Sequence, residues 1–186
     1  MHLFTDGRDA PLRGALEYFK KLSKILENIE IAKVASVSGR FYAMDRLKHW
    51  SRLMKAYRAM VFSDGETAKS PEKAISKAYK NNLTDEFILP TVIVDKNGAP
   101  IARIKNNDAV IFFNLRSDRA RQLTKLFLLK NIEGFSNFRQ ALNNIFFVGL
   151  TDFGPDLPGY HSAFVSADIE KTLPWVLRDL KQLYIA

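Results

Sequence analysis

Five arginines sit just beyond apolar runs in this 186-residue chain: Arg8 after residues 2–5, Arg40 and Arg46 after residues 33–37, and Arg116 and Arg119 after residues 109–113. A guanidinium is planar, stays protonated at any physiological pH and donates two parallel hydrogen bonds to a carboxylate or phosphate. If the runs are parallel strands that lead into helices, all five arginines reach the carboxyl-end side of the sheet, where ligands of α/β folds bind. Helix N-termini at the same place add unpaired N–H groups and partial positive charge. Asp9, beside Arg8, can hold an arginine in place or accept a substrate hydroxyl. These residue types describe an anion site of unspecified kind. Taken singly, each arginine also reads as an ordinary solvated side chain.

The elements that must position them follow from periodicity. Residues 2–5 read as a short strand. Pro11 suits a first helical turn, and Leu12, Ala15, Leu16, Phe19, Leu22 and Leu26 recur at helical spacing. Residues 33–37 read as a second strand, followed by a turn at Ser38, Gly39 and Arg40 and a helical stripe of Leu47, Trp50, Met54, Tyr57 and Val61. A third unit runs from residues 109–113 into a helix carrying Leu123, Leu126 and Phe127. Three strand–loop–helix units predict an α/β fold, a mainly parallel sheet flanked by helices.

Between these units, Ser70 and Pro71 open a short helix through Ala74, Ile75, Ala78 and Tyr79. Residues 87–94 and 99–104, joined across Asp95 to Gly98, predict an added β-hairpin. Residues 145–150 read as a buried strand, residues 151–160 as an interrupting loop rich in glycine and proline, and residues 173–183 as a last helix. No linker divides the chain, which is expected to be a single domain over residues 1–186. It begins on a strand and stops at Tyr184, Ile185 and Ala186 on what reads as another, so both ends look like cuts through a continuing fold.

Composition narrows the partners. Lysine and arginine number 28 against 20 acidic residues, a formal charge of +8, which favours anionic ligands. The basic residues are scattered among apolar ones, which argues against a nucleic-acid-binding tail. The absence of cysteine excludes disulfides, thiolate zinc sites and a cysteine nucleophile. Without an apolar run of about 18 residues or a signal-peptide pattern, no membrane partner and a cytoplasmic location are expected.

Four ordered blocks carry a resemblance: Asp6-Gly-Arg-Asp9; Ser38-Gly-Arg-Phe-Tyr-Ala-Met-Asp-Arg46; Thr84-Asp-Glu-Phe-Ile-Leu-Pro-Thr91; and Asp108-Ala-Val-Ile-Phe-Phe-Asn-Leu-Arg-Ser-Asp-Arg119. They resemble the successive signatures of the cofactor-independent (2,3-bisphosphoglycerate-independent) phosphoglycerate mutases, and weaker similarity continues to Ala186. The resemblance implies the inserted substrate-binding domain of an isomerase of glycolysis that interconverts 2-phosphoglycerate and 3-phosphoglycerate. In that family a phosphatase-like domain supplies a serine nucleophile and two manganese ions, and it would be this domain's partner. The resemblance places Arg8, Asp9, Arg40, Arg46, Arg116 and Arg119 at substrate-contacting positions. It places no catalytic residue and no metal ligand in this chain, which by itself is expected to be inactive. Leu115, Ser117, Ala10, Leu12, Leu47 and His49 depart from the family's usual residues without removing any of the arginines.

Two other functions fit the composition: a noncatalytic remnant that binds phosphorylated metabolites, and a basic nucleic-acid-binding module, which demands a contiguous basic face. His2, His49 and His161 are too dispersed for a metal motif. The kinase-like triplet Asp152, Phe153, Gly154 lacks the accompanying motifs of a kinase. Asp85 and Glu86 read as a solvated entrance to a structural strand, and Trp50 and Tyr57 as core.

Overall fold

Pairing between strands is mainly parallel and helices flank it, as the repeats predict, but the strands are shared between two sheets. The computed structural model describes residues 1–135, 142–165 and 172–179. The first sheet contains β1 (His2–Thr5), β2 (Ser36–Gly39), β3 (Glu66–Ala68) and β4 (Thr91–Ile93), in the order β1-β2-β4-β3. β1 runs parallel to β2, with Leu3 opposite Val37, and β3 runs parallel to β4, whereas β2 and β4 are antiparallel. The second sheet is wholly parallel: β5 (Ala109–Phe112), β6 (Phe146–Thr151) and β7 (Tyr160–Phe164). Phe4 of β1 and Phe112 of β5 meet edge to face at 5.9 Å, so side chains join the sheets.

The helices are α1 (Ala15–Leu26), α2 (Arg40–Ala43), α3 (Trp50–Val61), α4 (Pro71–Lys80), α5 (Ser117–Leu128) and α6 (Leu173–Asp179). α4 shows the local logic plainly: Ser70 Oγ accepts the Lys73 N–H at 3.3 Å, Pro71 occupies the first turn without wasting a donor, and Lys77 and Lys80 end it where the dipole is negative. α1 and α4 cover one face of the first sheet through Phe19, Val37, Ile75, Ile88 and Ile93. α3 places Ala59 against Val92 and Val94 of that sheet. Its other side, with Leu53 and Tyr57, shares a core with α5, β5 and β6. α3 therefore ties the two sheets together. Trp50 and Tyr57 are core, as their spacing predicts, and so is Phe153 of the kinase-like triplet.

The predicted hairpin is cut short. Val94 bridges Pro100, Asp95 N–H donates to Ala99 at 2.8 Å and Ile101 N–H donates to Ile93 at 2.9 Å, after which the chain leaves the sheet. Pro100 has no N–H for a longer ladder. On the other arm, Phe87 closes a 3-10 turn, Asp85–Phe87, instead of extending a strand. After the second strand the chain forms the short α2 at the predicted turn, and the helix carrying the predicted stripe starts only at Trp50, so Leu47 lies outside it and is exposed. The predicted last helix is seen as Leu173–Asp179; residues 180–183 and the expected terminal strand at residues 184–186 lie outside the described residues.

Asp85 corrects a second expectation: it is 1% exposed, not solvated. Its Oδ2 accepts the Ala15 N–H at 2.8 Å, its Oδ1 accepts Tyr79 O–H at 2.5 Å, and its carbonyl accepts Thr5 O–H at 2.6 Å. One residue thus fastens α1, α4 and β1. Burial, followed by Asp85 itself, raises the Tyr79 hydroxyl far above its ordinary value, keeping it protonated as the donor. Tyr79→Phe leaves a buried carboxylate short of one donor, and a loss of about 1–3 kcal/mol is expected in urea unfolding. A change under a few tenths would show that Asp85 finds water instead.

Candidate functional site

Gly39 sets the site's geometry. It ends β2, and its N–H donates to Ile88 at 2.8 Å, bringing the chain against the Asp85–Phe87 turn. A Cβ at Gly39 would lie 2.3 Å from the Glu86 carbonyl oxygen and 2.7 Å from Ile88 N. This close approach carries Arg40, the first residue of α2, into the interior, where it is 3% exposed.

Arg40 is neutralised from the β1 loop. Its Nη1 donates to Asp6 Oδ1 and, at 2.8 Å, to Asp9 Oδ2. Asp6 Oδ1 also accepts the N–H groups of Arg8 and Asp9, at 3.1 and 3.2 Å, so one carboxylate folds the loop and orients the arginine. Burial alone would weaken the charge on Arg40, but the bonds it donates to Asp9 and Asp6 outweigh it and raise its pKa. Reciprocally, Asp9 is held below the ordinary carboxylate range by the Arg40 hydrogen bond. Burial opposes the same shift at Asp6, where Arg40 and two backbone N–H groups prevail.

The second arm comes from α5. Arg116 precedes its first residue, with Nη1 3.8 Å from Asp9 Oδ2 and Nε donating to Asp118 Oδ1 at 2.8 Å. Asp118 Oδ2 accepts from Arg46 Nη1 at 2.8 Å. An alternating chain results: Arg40, Asp9, Arg116, Asp118, Arg46. Arg46 is held by its loop, because buried Asp45 accepts the N–H groups of Leu47 and His49, both at 2.9 Å, and pairs with His49 Nδ1 at 2.8 Å.

Arg119 differs from its neighbours. Its Nη1 donates to the Met44 carbonyl at 3.1 Å, its Nε is buried without a hydrogen-bond partner, and no carboxylate stands within 4 Å of it among the described residues. Burial first, then repulsion from Arg40, Arg46 and Arg116, lowers its pKa, against an opposing pull from Asp118.

Asp9, Arg40, Arg46, Arg116 and Arg119 are brought into one cluster, while the Arg8 side chain, largely exposed, stands 3.7 Å from Glu86 and joins the group through its backbone. The sequence reading missed Asp6 and Asp118. Their spacing to Asp9 and Arg116, three and two residues, is the available signal. Among the described residues no three His, Cys, Asp or Glu side chains converge on a metal position. His2 bonds Ser36 Oγ at 2.8 Å and is lowered to about 4 by burial and the N-terminal charge, and His161 stacks on Phe146. No described helix is long and apolar enough to cross a membrane.

Comparison with known proteins identifies relatives of the chain. Residues 1–155 match the family model described as "BPG-independent PGAM N-terminus". The chain is 46% identical over 173 residues to a 2,3-bisphosphoglycerate-independent phosphoglycerate mutase of Clostridium novyi (strain NT), covering 93% of this chain and 33% of that protein. It is 45% identical over 188 residues to the protein of that name in Clostridium acetobutylicum, covering all of this chain and 36% of that one. The crystal structure of Leishmania mexicana phosphoglycerate mutase at low cobalt concentration superposes with a TM-score of 0.75 at 27% identity, over 82% of this chain and 29% of that chain. The chain thus spans about a third of the length of the relatives it matches.

Proposed function

The chain belongs to the 2,3-bisphosphoglycerate-independent phosphoglycerate mutase family, and we propose that it is the single domain which holds the phosphoglycerate substrate for the rest of such an enzyme. The observation that carries this reading is the arginine cluster with Arg119 left without a carboxylate. Arg8, Asp9, Arg40, Arg46, Arg116 and Arg119 are the proposed contacts for 2-phosphoglycerate and 3-phosphoglycerate.

A substrate with a phosphate and a carboxylate needs donors for both anions, spread over several ångströms. Guanidiniums from both sheets meet that need. Retaining the glycerate while its two hydroxyls exchange places before a phosphorylated serine is catalysis by positioning and charge stabilisation. The serine and two manganese ions belong, in this reading, to the part of the relatives that this chain does not span, and that phosphatase-like part is its partner. A cytoplasmic location is proposed with it.

Calorimetric titration of the chain with 3-phosphoglycerate tests the reading. Saturable heat at millimolar ligand or below is expected, together with weaker binding of glycerate, which lacks the phosphate, and no mutase turnover by the chain alone. No heat, combined with salt-sensitive binding to random DNA, would sink it in favour of a nucleic-acid module.

A further inference from the structure

Asp118 stands where an anion between Arg46 and Arg116 would stand. It receives Arg46 Nη1 at 2.8 Å on one oxygen and Arg116 Nε at 2.8 Å on the other, with Arg116 Nη2 3.5 Å from Oδ2. This is close to the two-point grip that a guanidinium offers a phosphate. Two other carboxylates of the region are bound into the backbone, Asp6 by the N–H groups of Arg8 and Asp9 and Asp45 by those of Leu47 and His49, and Asp9 is committed to the buried Arg40 at 2.8 Å. Among the described residues Asp118 holds no backbone N–H, and its bonds go to the two guanidiniums. Its side chain is 43% exposed, and those of Arg46 and Arg116 are 44% and 52% exposed. Exposed pairs of this kind open at little cost.

We infer that Asp118 is an internal placeholder, which occupies Arg46 and Arg116 while the site is empty and is displaced by the phosphate or carboxylate of the ligand. The inference rests on reading the arginines as the phosphoglycerate site. While the site is empty, Asp118 screens the repulsion that four neighbouring arginines impose on one another, so the cluster stays assembled. When a ligand arrives, the same carboxylate competes with it. A singly charged anion gains little over Asp118, whereas a dianionic phosphate gains more, so Asp118 sets a threshold of charge for binding. It is a residue of specificity, with no part in the chemical step.

The test is a set of titrations of wild-type chain, Asp118→Asn and Asp64→Asn with 3-phosphoglycerate and with inorganic phosphate. Asp64 is a distant exposed carboxylate paired with Arg58, and its loss changes the net charge equally. Asp118→Asn is expected to bind both anions about three- to tenfold more tightly than wild type, with Asp64→Asn nearly unchanged. Weaker or unchanged binding by Asp118→Asn would make Asp118 a scaffold and overturn the inference while leaving the phosphoglycerate reading intact. Equal gains in both variants would reduce it to net charge and overturn it too. Tighter binding of both anions by Asp118→Asn, with 3-phosphoglycerate never exceeding phosphate, would uphold the placeholder and defeat the phosphoglycerate reading. Absence of anion binding in all three proteins defeats both.

Discussion

Arg40→Ala is expected to weaken 3-phosphoglycerate binding about a hundredfold, the typical consequence of truncating a buried, hydrogen-bonded charge at a recognition site. The guanidinium is almost fully enclosed, and its orientation is set by Asp6 and Asp9 before any ligand arrives. Its loss therefore removes a preorganised donor and frees two carboxylates to repel the incoming anion. Stability should fall less, by about 1–2 kcal/mol, because both carboxylates are open to water and rehydrate. Arg40→Lys should recover most of the stability and little of the affinity, since an ammonium lacks the planar fork. The variant also has a pH signature. Asp6 and Asp9 titrate below their ordinary values in the folded chain. Carboxylates lowered in this way add stability above the unfolded value, about 3.9, and that stability is lost as pH falls through the folded values. Urea unfolding between about pH 2 and 6 should show a shallower acid limb for Arg40→Ala than for wild type. Parallel curves would mean that Arg40 is not what holds the two carboxylates low.

The largest loss of stability is expected from Gly39→Ala, about 3–4 kcal/mol, seen as a fall in Tm of roughly 6–16 °C. The backbone at Gly39 is extended, with φ near −67°, so the glycine is not required for its dihedrals. It is required for space: the added methyl meets the carbonyl oxygen of Glu86 at 2.3 Å and its carbon at 2.7 Å, and both belong to a main chain that cannot rotate aside. Relief demands that β2 separate from the Asp85–Phe87 turn, breaking the bond from Gly39 N–H to Ile88 and moving Arg40 with it. Affinity should therefore fall together with stability. A variant with wild-type Tm would show that the turn can yield, and would remove the claim that Gly39 positions the arginine.

Much of this was legible in the sequence wherever a local rule decides the structure. The Ser70 and Pro71 start of α4, the apolar stripe of α3 and the strand before Arg116 all follow from near neighbours along the chain. So do the arginines themselves, because strand ends locate loops. What escaped depends on partners far away in sequence. β3 is three residues with two exposed side chains, Glu66 and Thr67, and only its pairing with β4 makes it a strand. β7 follows a loop of glycines and prolines and has no alternation of its own beyond what β6 imposes. Asp85 looks solvated beside Glu86 until Tyr79 and the N–H of Ala15 supply its partners. The unbroken apolar run over β5 does not tell which side chains are covered, and Ile111 is 72% exposed while Phe112 is packed. Asp118 was invisible as a site residue because an acidic side chain two residues from an arginine is commonplace, and its significance comes from Arg46, 72 residues away.

The division into two sheets has a consequence for how the cluster would meet a ligand. Arg40 and Arg46 lie on α2 and the loop after it, beyond β2 of the first sheet, and Arg116 and Arg119 at the start of α5, beyond β5 of the second. The pairs are linked through Asp118, 2.8 Å from Arg46, and through Asp9, 3.8 Å from Arg116, and an anion that engages both pairs would act as a further, chelated cross-link. Its second set of contacts is intramolecular and free of a new association entropy, so the two pairs together grip far more tightly than either alone. The molecule is clasped by what it clasps.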